Sequence, residues 1–148
     1  MIAKHISSKN QSSNSYLRLI TYLLNKESVY ERVERVVISG CTTTELKFAT
    51  DEINFTQSRN TRAQSDKTYH LIISFDSKER PHDHVLDDIE RELCLALGFE
   101  EHQRISVAHS DTEHFHVHLA INKIHPYKLT IHEPYRDFWK LGQACQML

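Results

Sequence analysis

Residues 115–122, Phe115-His116-Val117-His118-Leu119-Ala120-Ile121-Asn122, place an apolar side chain at every odd position. A period of two is what a β-strand imposes, because successive side chains leave opposite faces. Phe115, Val117, Leu119 and Ile121 therefore share one face, and His116, His118, Ala120 and Asn122 share the other. A second strand pattern, Arg104-Ile105-Ser106-Val107-Ala108-His109-Ser110, lies just upstream, beyond the polar stretch Asp111–His114. A four-residue hairpin loop pairs Ser110 with Phe115, His109 with His116 and Val107 with His118. Directly paired residues project from the same side of a sheet. The fold must then contain a hairpin with an apolar face and an opposite face on which His109, His116 and His118 converge.

Three imidazoles at that spacing suit a divalent cation held by three nitrogens, with open positions for water or substrate. The competing reading makes each a polar residue on a solvated sheet face. Asp111 is a common turn residue; two positions from His109, it could also accept an imidazole N–H and orient that ligand. His102, His114, His125 and His132 fall in turns and are expected to be solvated or to contact phosphate.

Around the hairpin, strands and helices interleave. Residues 2–6 form a short edge strand. Residues 13–26 read as a helix with Tyr16, Leu19, Ile20 and Leu23 on its buried stripe and Ser13 or Asn14 as N-cap. Residues 33–39 form a strand closed by Gly40, and 44–58 a helix burying Leu46, Ala49 and Ile53. The polar run 57–67 is an exposed loop, and 68–75 is an alternating strand. A helix spans 83–97, with Val85, Ile89, Leu93 and Leu97 on one side and Gly98 as its stop. Pro134 marks the start of a last helix, 134–147. This order predicts an α/β sandwich: a central, mostly antiparallel sheet, helices packed on one face, and the candidate metal site on the other.

The chain of 148 residues is one domain's worth, 1–148, and its end within a helix suggests a piece of a longer protein. It has no secretory leader and no apolar run approaching the ~20 residues of a membrane span, so no membrane insertion is expected. Three scattered cysteines, Cys41, Cys94 and Cys145, make neither a disulfide framework nor a zinc ribbon and fit the cytoplasm. A net charge of −2 argues against gripping nucleic acid by global charge and leaves local patches or a metal to do so. Seven of the 11 histidines lie between His102 and His132, which again puts the weight on the hairpin.

The run His109-Ser110-Asp111-Thr112-Glu113-His114-Phe115-His116-Val117-His118, with Asn122 and Pro126 following, resembles the histidine motif of conjugative relaxases. These are the strand transferases that nick plasmid DNA at an origin of transfer, within the endonucleases carrying a histidine–apolar–histidine strand. The likeness is to the MOBP class, that of IncP-type plasmids. It extends through Asn60-Thr61-Arg62-Ala63, Ser65-Asp66-Lys67-Thr68-Tyr69-His70-Leu71, His102-Gln103-Arg104-Ile105-Ser106, Ile121-Asn122-Lys123-Ile124-His125-Pro126 and His132-Glu133-Pro134-Tyr135-Arg136-Asp137, nearly the whole chain.

The resemblance implies a nucleophilic tyrosine in the N-terminal helix, matched by Tyr22. Tyr22 lies off the apolar stripe that holds Tyr16, on the face of Arg18 and Lys26, its i−4 and i+4 neighbours. Those cations favour a phenolate and could hold a phosphate. A family serine near the 3′ side of the nick is matched by Ser74, with Asp76 and Glu79 as looser secondary candidates. Whether Ser74 shares the histidine face is not decided by the sequence. Arg59, Arg62 and Lys67 could track a DNA backbone, or form an ordinary solvated loop.

The reaction implied is site- and strand-specific nicking by metal-assisted transesterification, leaving a 5′-phosphotyrosyl protein and a free 3′-OH. The resemblance implies Mg2+ or Mn2+, whereas three imidazoles alone suggest Zn2+ or Mn2+. Implied partners are single-stranded or hairpin-extruded origin DNA, accessory relaxosome proteins and a type IV secretion coupling protein. Two alternatives are a small metal-dependent hydrolase using metal-bound water and a non-catalytic origin DNA-binding protein.

Overall fold

The structure is a computed structural model that describes residues 1–8, 15–25, 32–110 and 113–148. Lys26, Asp111, Tyr30 and the expected caps Ser13 and Asn14 lie outside the described residues. In chain order the elements are β1 (Ile2–Ile6), α1 (Ser15–Leu23), β2 (Arg32–Ser39), α2 (Leu46–Arg59), β3 (Thr68–Ser74), α3 (Asp83–Leu97), β4 (Arg104–Ser110), β5 (Phe115–Asn122) and α4 (Asp137–Met147). The five strands form one open antiparallel sheet in the order β1-β3-β5-β4-β2. β5 is central and buried along its whole length. β1 is an edge, as its brevity suggests. No described helix is long and apolar enough to cross a membrane.

The hairpin register is the one the loop length dictates: Ser110 opposite Phe115, His109 opposite His116, Val107 opposite His118. The odd-numbered face of β5 meets α3 and α4 through Val117, Leu119, Ile121, Leu86, Leu93, Leu97 and Leu141. On the other face Ile105, Val107 and Ala120 pack against Tyr16, Ile20 and Leu23 of α1 and Ala49 and Ile53 of α2. Helices thus cover both faces. The expectation of helices on one side and the site on the other holds for α3 and α4 and is corrected for α1 and α2, which share the histidine side. The apolar stripes of α1 and α2 need a covering surface, and only part of that face is polar.

Local chemistry sets the element ends. α3 stops at a Schellman motif: Gly98 adopts φ 82°, its N–H donates to the Leu95 carbonyl, and the Phe99 N–H donates to that of Cys94. A Cβ on Gly98 would also come within 2.7 Å of the His132 ring. α4 begins at Asp137 rather than Pro134, because Arg136 sits at φ 53°, a left-handed conformation that a right-handed helix cannot include.

Candidate active site

His109, His116 and His118 are buried, and one ring nitrogen from each lies within 4.8 Å of the others. Their ring centroids are 5.0–5.6 Å apart. Among the described residues this is the one group of three side chains so placed. Two further contacts fix which nitrogens face inward. His109 Nε2 lies 2.6 Å from the Leu23 carbonyl, which can only accept, so Nε2 carries the proton and Nδ1 is left to act as a ligand. His118 Nδ1 lies 2.9 Å from His70 Nε2, which leaves Nε2 of His118 as its ligand atom. Metal-binding histidines usually anchor their second nitrogen in this way.

Burial, reinforced by the neighbouring imidazoles, pushes the His118 pKa down to about 3. Burial and His5 push that of His70 down to about 4. Both rings are neutral near pH 7, with lone pairs available. Buried neutral imidazoles, second-nitrogen anchors and mutual spacing together fit a divalent cation.

The Leu23 carbonyl belongs to the last turn of α1, where helix carbonyls lack intrahelical partners. His109 supplies the missing donor. One hydrogen bond therefore ties the helix that carries Tyr22 to a member of the triad, one residue away. Tyr22 itself is 71% exposed and lines a cleft of about 630 Å3 with Arg18, Ile72, His70 and His118. Tyr16 is fully buried, its hydroxyl donating to the Ala120 carbonyl at 2.8 Å. Of the two helix tyrosines, only Tyr22 lines the cleft.

Pairing of β3 with β5 answers the open question about Ser74. Ser74 lies opposite His116 and Ile72 opposite His118, so Ser74 and His70 share the histidine face. His70 was missed in the sequence because β3 and β5 are separated by α3 and β4, so no loop length sets their register. Glu79 pairs with the N-terminal ammonium at 3.3 Å and accepts from the Asp76 N–H, while the Asp76 carboxylate accepts from the Lys78 N–H at 3.2 Å, so both secondary acidic candidates are engaged in a local turn.

The run expected as an exposed loop begins instead as the last turn of α2, with Gln57 and Asn60 buried, and its cations divide. Arg59 and Arg62 are exposed and line a groove of about 550 Å3 with Lys128 and Thr130. Lys67 turns inward, its ammonium donating to the Gln57 and Asn60 carbonyls at the end of α2. The turn histidines also differ from expectation. His102 is buried against the Asn122 carbonyl, His125 bonds Glu101 at 2.7 Å, and His132 bonds the Leu97 carbonyl at 2.7 Å. They fasten the end of α3 to the loops after β5; only His114 remains on the surface.

The MobA/VirD2-like relaxase family, nuclease domain, matches residues 22–148. Two TraI proteins of Escherichia coli are each 42% identical over all 148 residues, which make up 20% of each TraI. A MobA protein of Acidithiobacillus ferrooxidans is 33% identical over 66 residues, 45% of this chain and 16% of that protein. No solved structure matches. The chain belongs to the MobA/VirD2-like relaxase family, and it spans about one fifth of the length of its TraI relatives.

Proposed function

We propose that this domain nicks one strand of plasmid DNA at an origin of transfer, with Tyr22 as nucleophile. The observation that carries the reading is the hydrogen bond from His109 to the Leu23 carbonyl, which sets an exposed tyrosine beside a triad built for a cation. His109, His116 and His118 would hold the cation, Mg2+ or Mn2+ by family and Zn2+ or Mn2+ by donor type. The chemistry it would supply there is positive charge against the negative charge that builds on the scissile phosphate. The Tyr22 hydroxyl oxygen attacks phosphorus in line, forming the phosphotyrosyl ester as the P–O3′ bond breaks. The phenol loses its proton and the departing 3′ oxygen gains one, so a free 3′-OH results. One phosphodiester replaces another, so the step is reversible.

Arg18 lines the same cleft, which supports the part in meeting the DNA backbone expected of it and of Lys26; Lys67 turns inward onto the end of α2 and loses the part expected of it; Ser74 shares the face of the triad. With the Nε2–H of His109 given to the Leu23 carbonyl and Nδ1 facing the cation, that ring has no N–H left for Asp111 to accept, so the orienting part expected of Asp111 falls to the Leu23 carbonyl. The setting is cytoplasmic, with accessory relaxosome proteins and a type IV coupling protein as partners.

Incubation with a 5′- or 3′-labelled oligonucleotide covering the origin, followed by denaturing electrophoresis, tests the reading. A covalent protein–DNA band that disappears in Tyr22→Phe is expected. Cleavage without an adduct would identify the metal-water hydrolase instead, and binding without cleavage a non-catalytic reader.

A further inference from the structure

The segment Tyr135-Arg136-Asp137-Phe138-Trp139-Lys140 exposes three large aromatic rings in five residues: Tyr135 at 71%, Phe138 at 85% and Trp139 at 57%. Such a cluster on a globular surface marks an interaction site. Its chemistry favours an anionic, aromatic partner. The Arg136 guanidinium lies over the Tyr135 ring, 5.3 Å from its centroid. Acids in the segment are already engaged. Asp137 accepts from the Tyr69 hydroxyl at 2.9 Å and pairs with His5 at 3.1 Å. Glu133 pairs with Lys123 at 3.1 Å and accepts from Ser65. Among the described residues no carboxylate forms an ion pair with Arg136 or Lys140, so the patch presents rings and positive charge.

The same anchors locate it. His5 and Ser65 hold the segment, while Ile6 and Asp66, their immediate chain neighbours, line the cleft beside Tyr22. Because neighbours along a strand leave opposite faces, the patch stands on the α4 side of the sheet and the cleft on the histidine side, with the β1 edge between them for a strand to pass around. The stack of His5 on Tyr69, with centroids 3.9 Å apart, stiffens that border.

We infer that Tyr135, Phe138 and Trp139 form a stacking platform for unpaired bases of a single strand as it passes beyond the cleft. This rests on the nicking reading for its substrate. Aromatic rings interleaved with cations are what sequence-tolerant single-strand binding requires, since every base offers a π face and every linkage a phosphate.

Trp139 is the only tryptophan in the chain and is therefore its own reporter. Oligothymidylates of about 4 and about 24 nucleotides bracket the usual span of one binding domain. The longer strand should quench Trp139 emission and bind about tenfold more tightly than the shorter, and an abasic strand of equal length should not quench. Tyr135→Ala/Phe138→Ala, both at exposed positions, should lose that length-dependent gain. Absence of quenching, or a gain that survives the double variant, overturns the platform. So does sedimentation showing a dimer that the double variant breaks, which would make the patch a protein–protein surface. Failure of wild-type adduct formation on the origin oligonucleotide, with quenching retained, would instead remove the nicking reading and leave the platform standing.

Discussion

Replacing His70 by leucine should weaken divalent-metal binding about 10- to 100-fold, the usual cost of losing a partner behind a ligating histidine. The geometry gives the same scale independently. With Nε2 of His118 facing the cation, its proton must sit on Nδ1, 2.9 Å from His70 Nε2. In the metal-free chain His118 can place its proton on either nitrogen, so the missing acceptor is felt chiefly in the bound state. A buried donor left without a partner costs about 1–3 kcal/mol; a 10- to 100-fold loss is about 1.4–2.7 kcal/mol. Calorimetric titration with Mn2+ measures it, and circular dichroism shows whether the variant is folded. His70→Gln, whose side-chain carbonyl can accept the same proton, should recover part of the affinity. A folded His70→Leu variant binding within twofold of wild type would show that His70 does not orient His118.

Tyr16→Phe should keep adduct formation and lose about 1 kcal/mol of stability by urea denaturation, because its buried hydroxyl donates to the Ala120 carbonyl and does not reach the cleft. Arg59→Ala/Arg62→Ala should flatten the log–log salt dependence of single-strand binding by about 0.7 for each phosphate no longer neutralised, and an unchanged slope would remove that groove from the DNA interface. With chelator present, stability should fall as pH drops below about 6.5. His5, His70, His102 and His118 are all held below their ordinary pKa, chiefly by burial, so the unfolded chain takes up protons that the folded chain refuses. The loss begins near the ordinary histidine value and continues toward about 4 for His70 and about 3 for His118; a urea midpoint that does not move on acidification through this range would contradict it.

What could be read in advance tracks how locally each feature is determined. The triad was legible because a single short loop sets the β4–β5 register, and alternation then places all three rings. The end of α3 was legible because its stripe stops at a glycine that only a left-handed terminus explains. His70 and the side of Ser74 were not, since their positions depend on how β3 meets β5 across an intervening helix and strand. Nor could Lys67 be told from Arg59 and Arg62. All three are cations in one polar run, and only the end of α2, with carbonyls needing donors, draws the lysine inward.

The same distinction explains why α1 lies on the histidine face. An amphipathic stripe says that a helix is covered, not which side of the sheet covers it. In this chain that choice has a chemical consequence. Had α1 packed with α3 and α4, Tyr22 would stand on the far side of the sheet from His116 and His118, and the two halves of the motif could not meet. Packing Tyr16, Ile20 and Leu23 onto Val107 and Ala120 instead brings the end of α1 over β4. There the last-turn carbonyl finds His109. The apolar face of α1 does the positioning that the proposed role of its polar face requires, so a destabilising change in that face, such as Ile20→Ala, should reduce adduct formation by displacing Tyr22 even though Ile20 is packed in the core and does not line the cleft.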